Sequence, residues 1–500
     1  MVKLPTVVRI QHSSRLEQNT ILLSGAILKR WGIPQGQPIK LSFGSASKDV
    51  FIGKATGKST KKILIVASST ALTLTLPSNI KLCMNYSPSR RTLKIGPLIG
   101  VLLNRPFLNP SVGLNSFCRE LASACLKSGG FCYFFNKSKL SGSLQAIDGW
   151  YYHRGWKHRS MPIPDVIYNR IGNRKEENSN SVQHFIHDVK SRYHCVVFNE
   201  KFLNKNEVFE ALQQDPASAP MLPESYPVKN TATIKAMLAR HDTVFVKPVT
   251  GSLGRGIIRI TKQRNGYQCH INQINIVSRS SYSTFSALAS ALSKRLSKQR
   301  FQVQQGLRLI AVHGRPVDFR VLVQRNGKGE WSVTSAVSRV AANHTFVSNL
   351  ARGGSISRIE NAIVNSNLAT PYRSKMREKL QFSAIQIAKG IETYIPSHFA
   401  ELGIDLAIDT QGAIWLLEVN SKPSKEDTTI LQQQLDPDQP RPLIVRPSVK
   451  KIIDYSQFAA GLRGRREATL ELRRSNAASI MPYAAETKIT PPNDPFRHFT

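Results

Sequence analysis

Three oxygen-bearing side chains in the stretch "LGIDLAIDTQGAIWLLEVN" could hold a metal ion, namely Asp405, Glu418 and Asn420. Hard, oxygen-only ligands with open positions are what Mg²⁺ uses when it is shared with phosphate groups. Glu418 lies within the apolar run "IWLLEVN", where burial of an unpaired carboxylate is costly. The alternative is a polar face exposed to solvent. The stretch therefore predicts a magnesium site.

These ligands must be brought together by the elements that carry them. The two apolar runs predict a β-hairpin with Thr410 and Gln411 as its two-residue loop. In that register Asp405 lies opposite Leu416 and is one diagonal step from Glu418. Strand alternation then places the two carboxylates and the amide on one patch.

A second stretch, "FVKPVTGSLGRGIIRI", places a lysine and a glycine-rich loop between two apolar runs. A P-loop or a dinucleotide fingerprint would lead into a helix, whereas here a strand follows. A flexible hairpin whose free backbone N–H groups cover phosphates, with Lys247 beneath it, fits this order. An ordinary glycine-rich hairpin is the alternative. The loop residues that could contact phosphates are Thr250, Gly251, Ser252, Gly254 and Gly256.

The pattern along the chain indicates a multi-domain protein of mixed α/β and α+β class. We expect a β-rich basic domain over 1–92, an α/β domain over 93–200, a domain carrying both stretches over 201–435, and a basic, partly disordered extension over 436–500. A short helix is predicted near Ile452–Leu462.

The composition is that of a globular protein with 41% hydrophobic residues, but its net charge is +37. Residues 1–100 carry 15 basic side chains and only two acids, Glu17 and Asp49. This surface could contact a polyanion, or could be a solvated basic face without a partner. The six cysteines form no C-x-x-C pair, and no signal peptide or transmembrane segment is evident, so we expect a cytoplasmic protein.

A phosphate-covering glycine hairpin followed by an acidic hairpin resembles the ATP-grasp fold over roughly Phe202–Ser424. The resemblance implies that 201–435 is the ATP-grasp domain, preceded by a pre-ATP-grasp domain, and that ATP and Mg²⁺ (or Mn²⁺) are bound. "FLNKNEVFEAL" and "FVKP" resemble the segments that carry the family's phosphate lysines, which implies this function for Lys205 and Lys247. "FQVQQGL" resembles the strand that contacts adenine, and "VDFRVLV" the element whose acid contacts ribose. The implied purine and ribose residues are Gln304, Gln305, Leu307 and Asp318.

"SNLARGGS" resembles a segment of the RimK-type glutamate ligases, and Arg339 matches their catalytic arginine, with Arg320 or Arg352 assisting. "PDVIYNRIGNR", "KPVTGSLGRGI", "LARGGSIS" and "LLEVNSKPS" resemble the YheC/YheD proteins, which are ATP-grasp proteins of spore-forming bacteria described as spore-coat associated. This second resemblance covers about residues 1–460.

The resemblance implies an ATP- and Mg²⁺-dependent ligase that joins a carboxylate to an amine through an acyl phosphate. One alternative is a structural, spore-coat-associated protein that binds ATP without ligation. The other is a polyanion-binding protein that acts through its basic N-terminal domain. The sequence does not reveal the carboxylate and amine substrates or the oligomeric state.

Overall fold

The structure is a computed structural model that describes residues 5–55, 62–104, 112–137, 145–249, 256–272, 277–341, 354–424 and 445–462. The described strands form four sheets, of which the first is closed into a barrel. No helix in these ranges is long and apolar enough to cross a membrane.

Seven strands form the barrel. In chain order, β1 to β7 span Thr6–Ser13, Thr20–Leu23, Ile39–Phe43, Ala46–Lys54, Ile63–Ala67, Lys81–Ser87 and Thr92–Gly96. Their order is β1-β5-β2-β4-β3-β7-β6, and pairing of β1 with β6 closes the barrel. Side chains alternate along β1, where Val8 and Ile10 are buried and Val7 and Arg9 are exposed. Two helices, α1 (Gly25–Trp31) and α2 (Ser68–Thr73), interrupt these strands.

The second sheet follows directly. Its strands β8 to β13 span Leu98–Leu103, Phe131–Asn136, Ala146–Tyr152, Trp156–Pro162, Val166–Asn169 and Val196–Phe198, in the order β11-β10-β9-β8-β12-β13. Every residue of β8 is buried, as expected for a central strand with parallel neighbours on both sides. Helices α3 to α5 span Val112–Lys127, Arg174–Glu177 and Asn180–Ser191.

The third sheet carries the predicted phosphate lysine, Lys247. Its strands β14 to β19 span Ser225–Pro227, Thr243–Pro248, Ile258–Gln263, Gly266–Asn272, Val277–Tyr282 and Phe301–Gln305, in the order β14-β19-β15-β16-β17-β18. The helix α6 (Lys205–Gln213) precedes it, and α7 (Thr231–Arg240) and α8 (Phe285–Leu296) belong to it. Buried residues of α7 and α8 share a hydrophobic cluster with β15 and β16.

The fourth sheet carries the predicted carboxylates. Its strands β20 to β25 span Ala311–Val312, Arg315–Arg325, Trp331–Val340, Ser355–Ser357, Glu401–Ile408 and Ile414–Asn420. The order is β23-β22-β21-β24-β25, and β20 pairs with β21 beside this path. Helices α9 to α11 span Ile359–Val364, Thr370–Arg373 and Met376–Tyr394, and the buried face of α11 packs within the cluster of this sheet.

The last described helix, α12, spans Pro447–Ala459, so it begins five residues before the expected start at Ile452. Proline at the first position explains this start, because its fixed φ suits a helix and its missing N–H is not needed there. Val449, Ile452 and Ile453 share a hydrophobic cluster with α3 and β8. This helix is therefore part of the core of the second sheet.

The barrel and the second sheet also share one hydrophobic cluster, so the predicted boundary at residue 92 does not separate two cores. The domain limits stay predictions. All six cysteines are buried thiols.

We expect Ile453→Ala to lower the free energy of unfolding by about 2–5 kcal/mol, because it leaves a cavity in a core where Ile453 is 1% exposed. The measurement is the midpoint of urea unfolding. Lys450→Ala on the exposed face of α12 is the control and should leave the midpoint close to wild type. Equal midpoints for the two variants would contradict the placement of α12 in the core.

Candidate functional site

A row of charged side chains crosses the fourth sheet. Arg339 on β22 pairs with Asp318 on β21. Two residues along β21, Arg320 pairs with Asp405 on β24, and Asp405 pairs in turn with Glu418 on β25. Because directly opposed residues lie on the same face of a sheet, five predicted site residues share one surface.

The turn of the acidic hairpin differs from the predicted two-residue loop. The backbone N–H of Asp409 donates to the carbonyl of Ala413 at 3.0 Å, so the loop holds three residues between them. The Asp409 carboxylate accepts from the N–H groups of Gln411 and Ala413, both at 2.9 Å, and Gly412 adopts a left-handed φ of 81°. These bonds stabilise the longer turn, because Asp fixes local backbone donors and glycine tolerates positive φ.

The predicted pairing of Asp405 with Leu416 is wrong. The longer turn is one reason, and a β-bulge in β25 is the other. Leu416 lies opposite Leu406, and the register then shifts so that Asp405 lies opposite Glu418. Leu417 is the extra residue of this β-bulge. The bulge brings the two carboxylates directly across from each other and leaves Asn420, opposite Gly403, on the same face.

The Asp405 carboxylate is held by two guanidinium groups. Arg320 donates from Nε to Oδ1 and from Nη2 to Oδ2, the latter at 2.9 Å. Arg339 Nη2 lies 2.9 Å from the same Oδ2, and Arg339 Nε donates to Asp318 Oδ1 at 2.6 Å. These contacts form one buried cluster of two arginines and two aspartates.

The charges within this cluster shift the pKa values of Asp405 and Arg339. Burial opposes the charged form of Asp405, but Arg320 and Arg339 together hold the pKa of its carboxyl below the usual value. Burial likewise lowers the pKa of Arg339, but Asp405 and Asp318 outweigh it and raise that pKa above its ordinary value. Asp405 and Arg339 are therefore both charged at neutral pH.

Two lysines lie next to this row. Lys205 is the first residue of α6, and its Nζ lies 3.3 Å from Glu418 Oε1. Lys247 on β15 donates to Gln304 Oε1. Burial lowers the pKa of Lys247 to about 8, with a further lowering by the charge of Lys205 and a partial offset by Glu418. Lys247 of the third sheet thus lies close enough to Lys205 and Glu418 to be affected by their charges.

The predicted purine residues lie on and just after β19. Gln304 is buried, and its Nε2 donates to Ser225 Oγ at 3.0 Å. This bond fixes the amide, whose Oε1 accepts the hydrogen bond from Lys247. Gln305 is half-buried, and its Oε1 accepts from the backbone N–H of Glu224 at 3.3 Å. Leu307 is half-buried too. Contacts of these residues with a base stay predictions.

Some predicted residues fall outside the described ranges. They are Thr250, Gly251, Ser252, Gly254 and Arg352. Gly256, at the end of the loop, has a left-handed φ of 72°, and its N–H donates to the carbonyl of Asn272 at 2.9 Å. Only a residue without a Cβ adopts that backbone readily.

The residues predicted to hold a metal fit Mg²⁺ by their chemistry. Asp405, Glu418 and Asn420 offer only oxygen ligands from one face of the hairpin. The Glu418 side chain is 33% exposed and can therefore reach a ligand, whereas both Asp405 oxygens already accept hydrogen bonds from arginine. Within the described ranges, no three His, Cys, Asp or Glu side chains surround one metal position, so the set depends on the Asn420 amide.

Two residues near the site were missed by sequence reasoning. Lys422, two residues after Asn420, forms a buried ion pair with Glu177 and donates to the carbonyl of Ile171 at 3.1 Å. Burial lowers the pKa of Lys422 to about 8, partly offset by Glu177. The pair fixes the segment that follows β25. The sequence does not indicate a buried role for Glu177, because this residue lies in the charged run "NRKEEN", which is typical of an exposed turn.

A lysine on one sheet, a second lysine at the start of a helix and a carboxylate row on another sheet are the arrangement of an ATP-grasp protein. The family profile described as YheC/D like ATP-grasp matches residues 194–458, more than half of the chain. The chain therefore belongs to the YheC/D-like ATP-grasp family, and the predicted resemblance and fold class are confirmed.

Two curated relatives support this family assignment. The chain is 31% identical over 343 residues to the endospore coat-associated protein YheD of Bacillus subtilis (strain 168), covering 67% of this chain and 74% of that protein. It is 25% identical over 320 residues to the endospore coat-associated protein YheC of the same organism, covering 62% and 85%.

Solved structures of ligases are similar at a lower level. The ATP-grasp ligase PsnB complexed with minimal precursor has a TM-score of 0.40 at 14% identity, covering 73% of this chain and 99% of that chain. D-alanyl-alanine synthetase A from Vibrio cholerae O1 biovar eltor str. N16961 has a TM-score of 0.40 at 13% identity, covering 73% and 97%. These scores are low, and the family assignment depends on the sequence matches.

We expect Asp405→Asn to lower the free energy of unfolding by about 3–5 kcal/mol, because it leaves two buried guanidinium groups without their shared charge. Glu418→Gln should change it by no more than about 1 kcal/mol, because that side chain is partly exposed and contacts one lysine. Urea unfolding of both variants measures the difference. Similar losses in the two would contradict the structural part assigned to Asp405.

Proposed function

We propose that this protein is an ATP- and Mg²⁺-dependent ligase that joins a carboxylate to an amine through an acyl phosphate. The observation that carries the proposal is the convergence of Lys205, from the start of α6, and Lys247, from the third sheet, on the row that ends in Asp405 and Glu418. Membership of an ATP-grasp family supports it.

The charge of the site suits a nucleotide. Two of its cations, Arg320 and Arg339, are matched by the carboxylates of Asp318 and Asp405. Lys205 pairs with Glu418, whose charge also acts on Lys247. Among these three groups, two ammonium cations therefore meet one carboxylate, at a place where both can contact phosphate. Lys205 also begins a helix, whose N-terminus favours anions.

Asp405, Glu418 and Asn420 would hold the metal ion. When bound, Mg²⁺ neutralises phosphate charge and aligns the phosphates for transfer. If Glu418 turns toward a metal, Lys205 is freed to contact phosphate. Arg339 is held in place by Asp318 and would stabilise the transferred phosphoryl group and the later oxyanion.

The proposed reaction has two steps. A substrate carboxylate oxygen attacks the γ-phosphorus, the bond to the ADP oxygen breaks, and an acyl phosphate forms. An amine then attacks the acyl carbon, a C–N bond forms, phosphate leaves, and the amine gives up a proton. The protein provides positioning and charge stabilisation in both steps, and no side chain has to act as a covalent nucleophile.

A second candidate is an ATP-binding protein that is associated with the spore coat and carries out no ligation. The names of both curated relatives favour it, because each is an endospore coat-associated protein. Spore association is compatible with either candidate. The two differ in whether bound ATP is turned over when a carboxylate and an amine are present.

Calorimetry with ATP in the presence and absence of Mg²⁺ tests the site. We expect wild type to bind Mg·ATP, and Lys247→Ala to bind at least about tenfold more weakly, because a charge-assisted phosphate contact is lost. Glu418→Gln should lose the dependence on Mg²⁺. Lys262→Ala and Glu378→Gln, at exposed positions, are the matched controls and should bind as wild type does.

Phosphate release with mixtures of amino acids and peptides then separates the two candidates. Release that requires both a carboxylate and an amine supports the ligase. Binding of Mg·ATP without release under any mixture supports the coat-associated protein. Absence of nucleotide binding in wild type would refute both.

The pKa of Lys247 predicts a pH dependence. Its ammonium has a pKa of about 8 in the free protein, and a bound phosphate favours the charged form. Affinity for Mg·ATP should therefore be constant below about pH 7 and fall above about pH 8, by up to about tenfold per pH unit. Calorimetry between pH 6.5 and pH 9.5 measures this. Lys247→Met should bind weakly at every pH, without the decline.

Lys422 also has a pKa of about 8, but it donates to Glu177 and not to the proposed phosphate site. A decline that persists in Lys247→Met would assign the titration to another group and contradict the prediction.

A further inference from the structure

A cavity of about 280 Å³ lies between the barrel and the second sheet. His12 on β1 and the segment 75–80 between α2 and β6 form one wall. The other wall is formed by the β10–β11 hairpin and Phe131 on β9. All of these residues precede position 194, where the family match begins, so the cavity lies outside the ATP-grasp part of the chain.

The register of the hairpin directs its basic side chains into this cavity. Tyr151 on β10 lies opposite Lys157 on β11, and Gly149 lies opposite Arg159. Directly opposed and alternate residues share a face, so Lys157 and Arg159 lie on the same side as Tyr151. His153, just beyond β10, joins them.

The lining carries positive charge without compensation. Its basic members are His12, His153, Lys157 and Arg159, and no carboxylate lines the cavity within the described ranges. In the same ranges, Lys157 and Arg159 form no ion pair. Burial lowers the pKa of His12 and the charge of Arg159 lowers it further, which places the guanidinium near the imidazole. His12 Nε2 is buried without a hydrogen-bond partner. The charged side chains of Lys157 and Arg159 are stabilised when an anion joins them.

The rest of the lining is apolar. Phe131 is 3% exposed, and its ring centroid lies 5.3 Å from that of Tyr151 at a tilt of 48°. Leu76 and Ile80 line the cavity on the barrel side. The cavity thus offers a cationic end and an apolar wall, a combination that recognises an anion with an apolar body.

We propose that this cavity binds a small organic anion, whose carboxylate or phosphate group contacts Arg159, Lys157 and His12 and whose apolar group lies against Phe131 and Tyr151. Its volume is at the lower limit of ligand pockets, which run from about 300 to 1,000 Å³. It therefore suits one ring or a short alkyl group with its acid group, and not a nucleoside triphosphate.

Calorimetry on the full chain with four probes tests the chemistry. Phenyl phosphate and phenylacetate each combine a ring with an anion, benzyl alcohol lacks the charge, and inorganic phosphate lacks the ring. We expect at least one of the ring-bearing anions to bind at least tenfold more tightly than both benzyl alcohol and inorganic phosphate. Whichever of phenyl phosphate and phenylacetate binds more tightly shows whether the cavity prefers a phosphate or a carboxylate group. Failure of both to bind overturns the proposal.

Variants locate the site. Arg159→Gln should weaken the better probe at least tenfold, whereas Lys81→Met, an exposed lysine on β6, should not change its affinity. Lys247→Ala should not change it either, which separates this cavity from the proposed phosphate site. Loss of binding in Lys247→Ala with retention in Arg159→Gln overturns the proposal. If Arg159→Gln does not fold, Lys157→Met is the second test, because Lys157 is exposed and its replacement should not disturb folding. A probe affinity of Lys157→Met equal to that of wild type overturns the proposal.

Discussion

The site depends on keeping one buried carboxylate ionised. Asp405 is almost inaccessible to solvent, and an isolated charge at such a place would be strongly unfavourable. Arg320 and Arg339 make it favourable, and Arg339 in turn needs Asp318. Because the four groups come from three adjacent strands, the ion pairs are satisfied in one register only, and a one-residue slip would turn a member to the other face.

That register explains the irregularity in β25. An even ladder from the turn would place Asp405 opposite Leu417 and turn Glu418 away from the row. The bulge at Leu417 restores the alignment, so that Glu418 and Asn420 share the face of the cluster. Leu417 is therefore left without a partner on β24, at the point where the predicted metal ligands must converge.

A second buried network positions β24 itself. Glu401, its first residue, accepts from Tyr168 Oη at 2.7 Å and from Gln324 Nε2 at 2.8 Å. Asn199 Nδ2 donates to the carbonyl of Glu401 at 2.8 Å, and Asn199 Oδ1 accepts from the N–H of Ala400 at 3.2 Å. The contacts of Tyr168 on β12 and of Asn199, just after β13, join the second sheet to the fourth, whereas Gln324 lies on β21 within the fourth sheet. A fully satisfied network of this kind specifies one arrangement of the sheets that it joins.

Local patterns explain which parts could be predicted. The alternation of strands and the acidic hairpin follow from residues near in sequence, and the structure has strands β24 and β25 at that hairpin. The register around Asp405 could not be predicted, because it depends on the Asp409 turn and on two arginines, Arg339 and Arg320, that lie 66 and 85 residues earlier in the chain. The Glu177–Lys422 pair is more distant still.

The two basic regions of the chain differ in how their charge is balanced. In the fourth sheet, Arg320 and Arg339 are matched by carboxylates, so a small excess on the lysines remains for a ligand. In the cavity beside the barrel, no described carboxylate matches Arg159 and Lys157. A net charge of +37 alone predicts only attraction to anions. The placement of these cations in two clusters, one matched by carboxylates and one unmatched, is what turns a general attraction into two separate proposed binding sites.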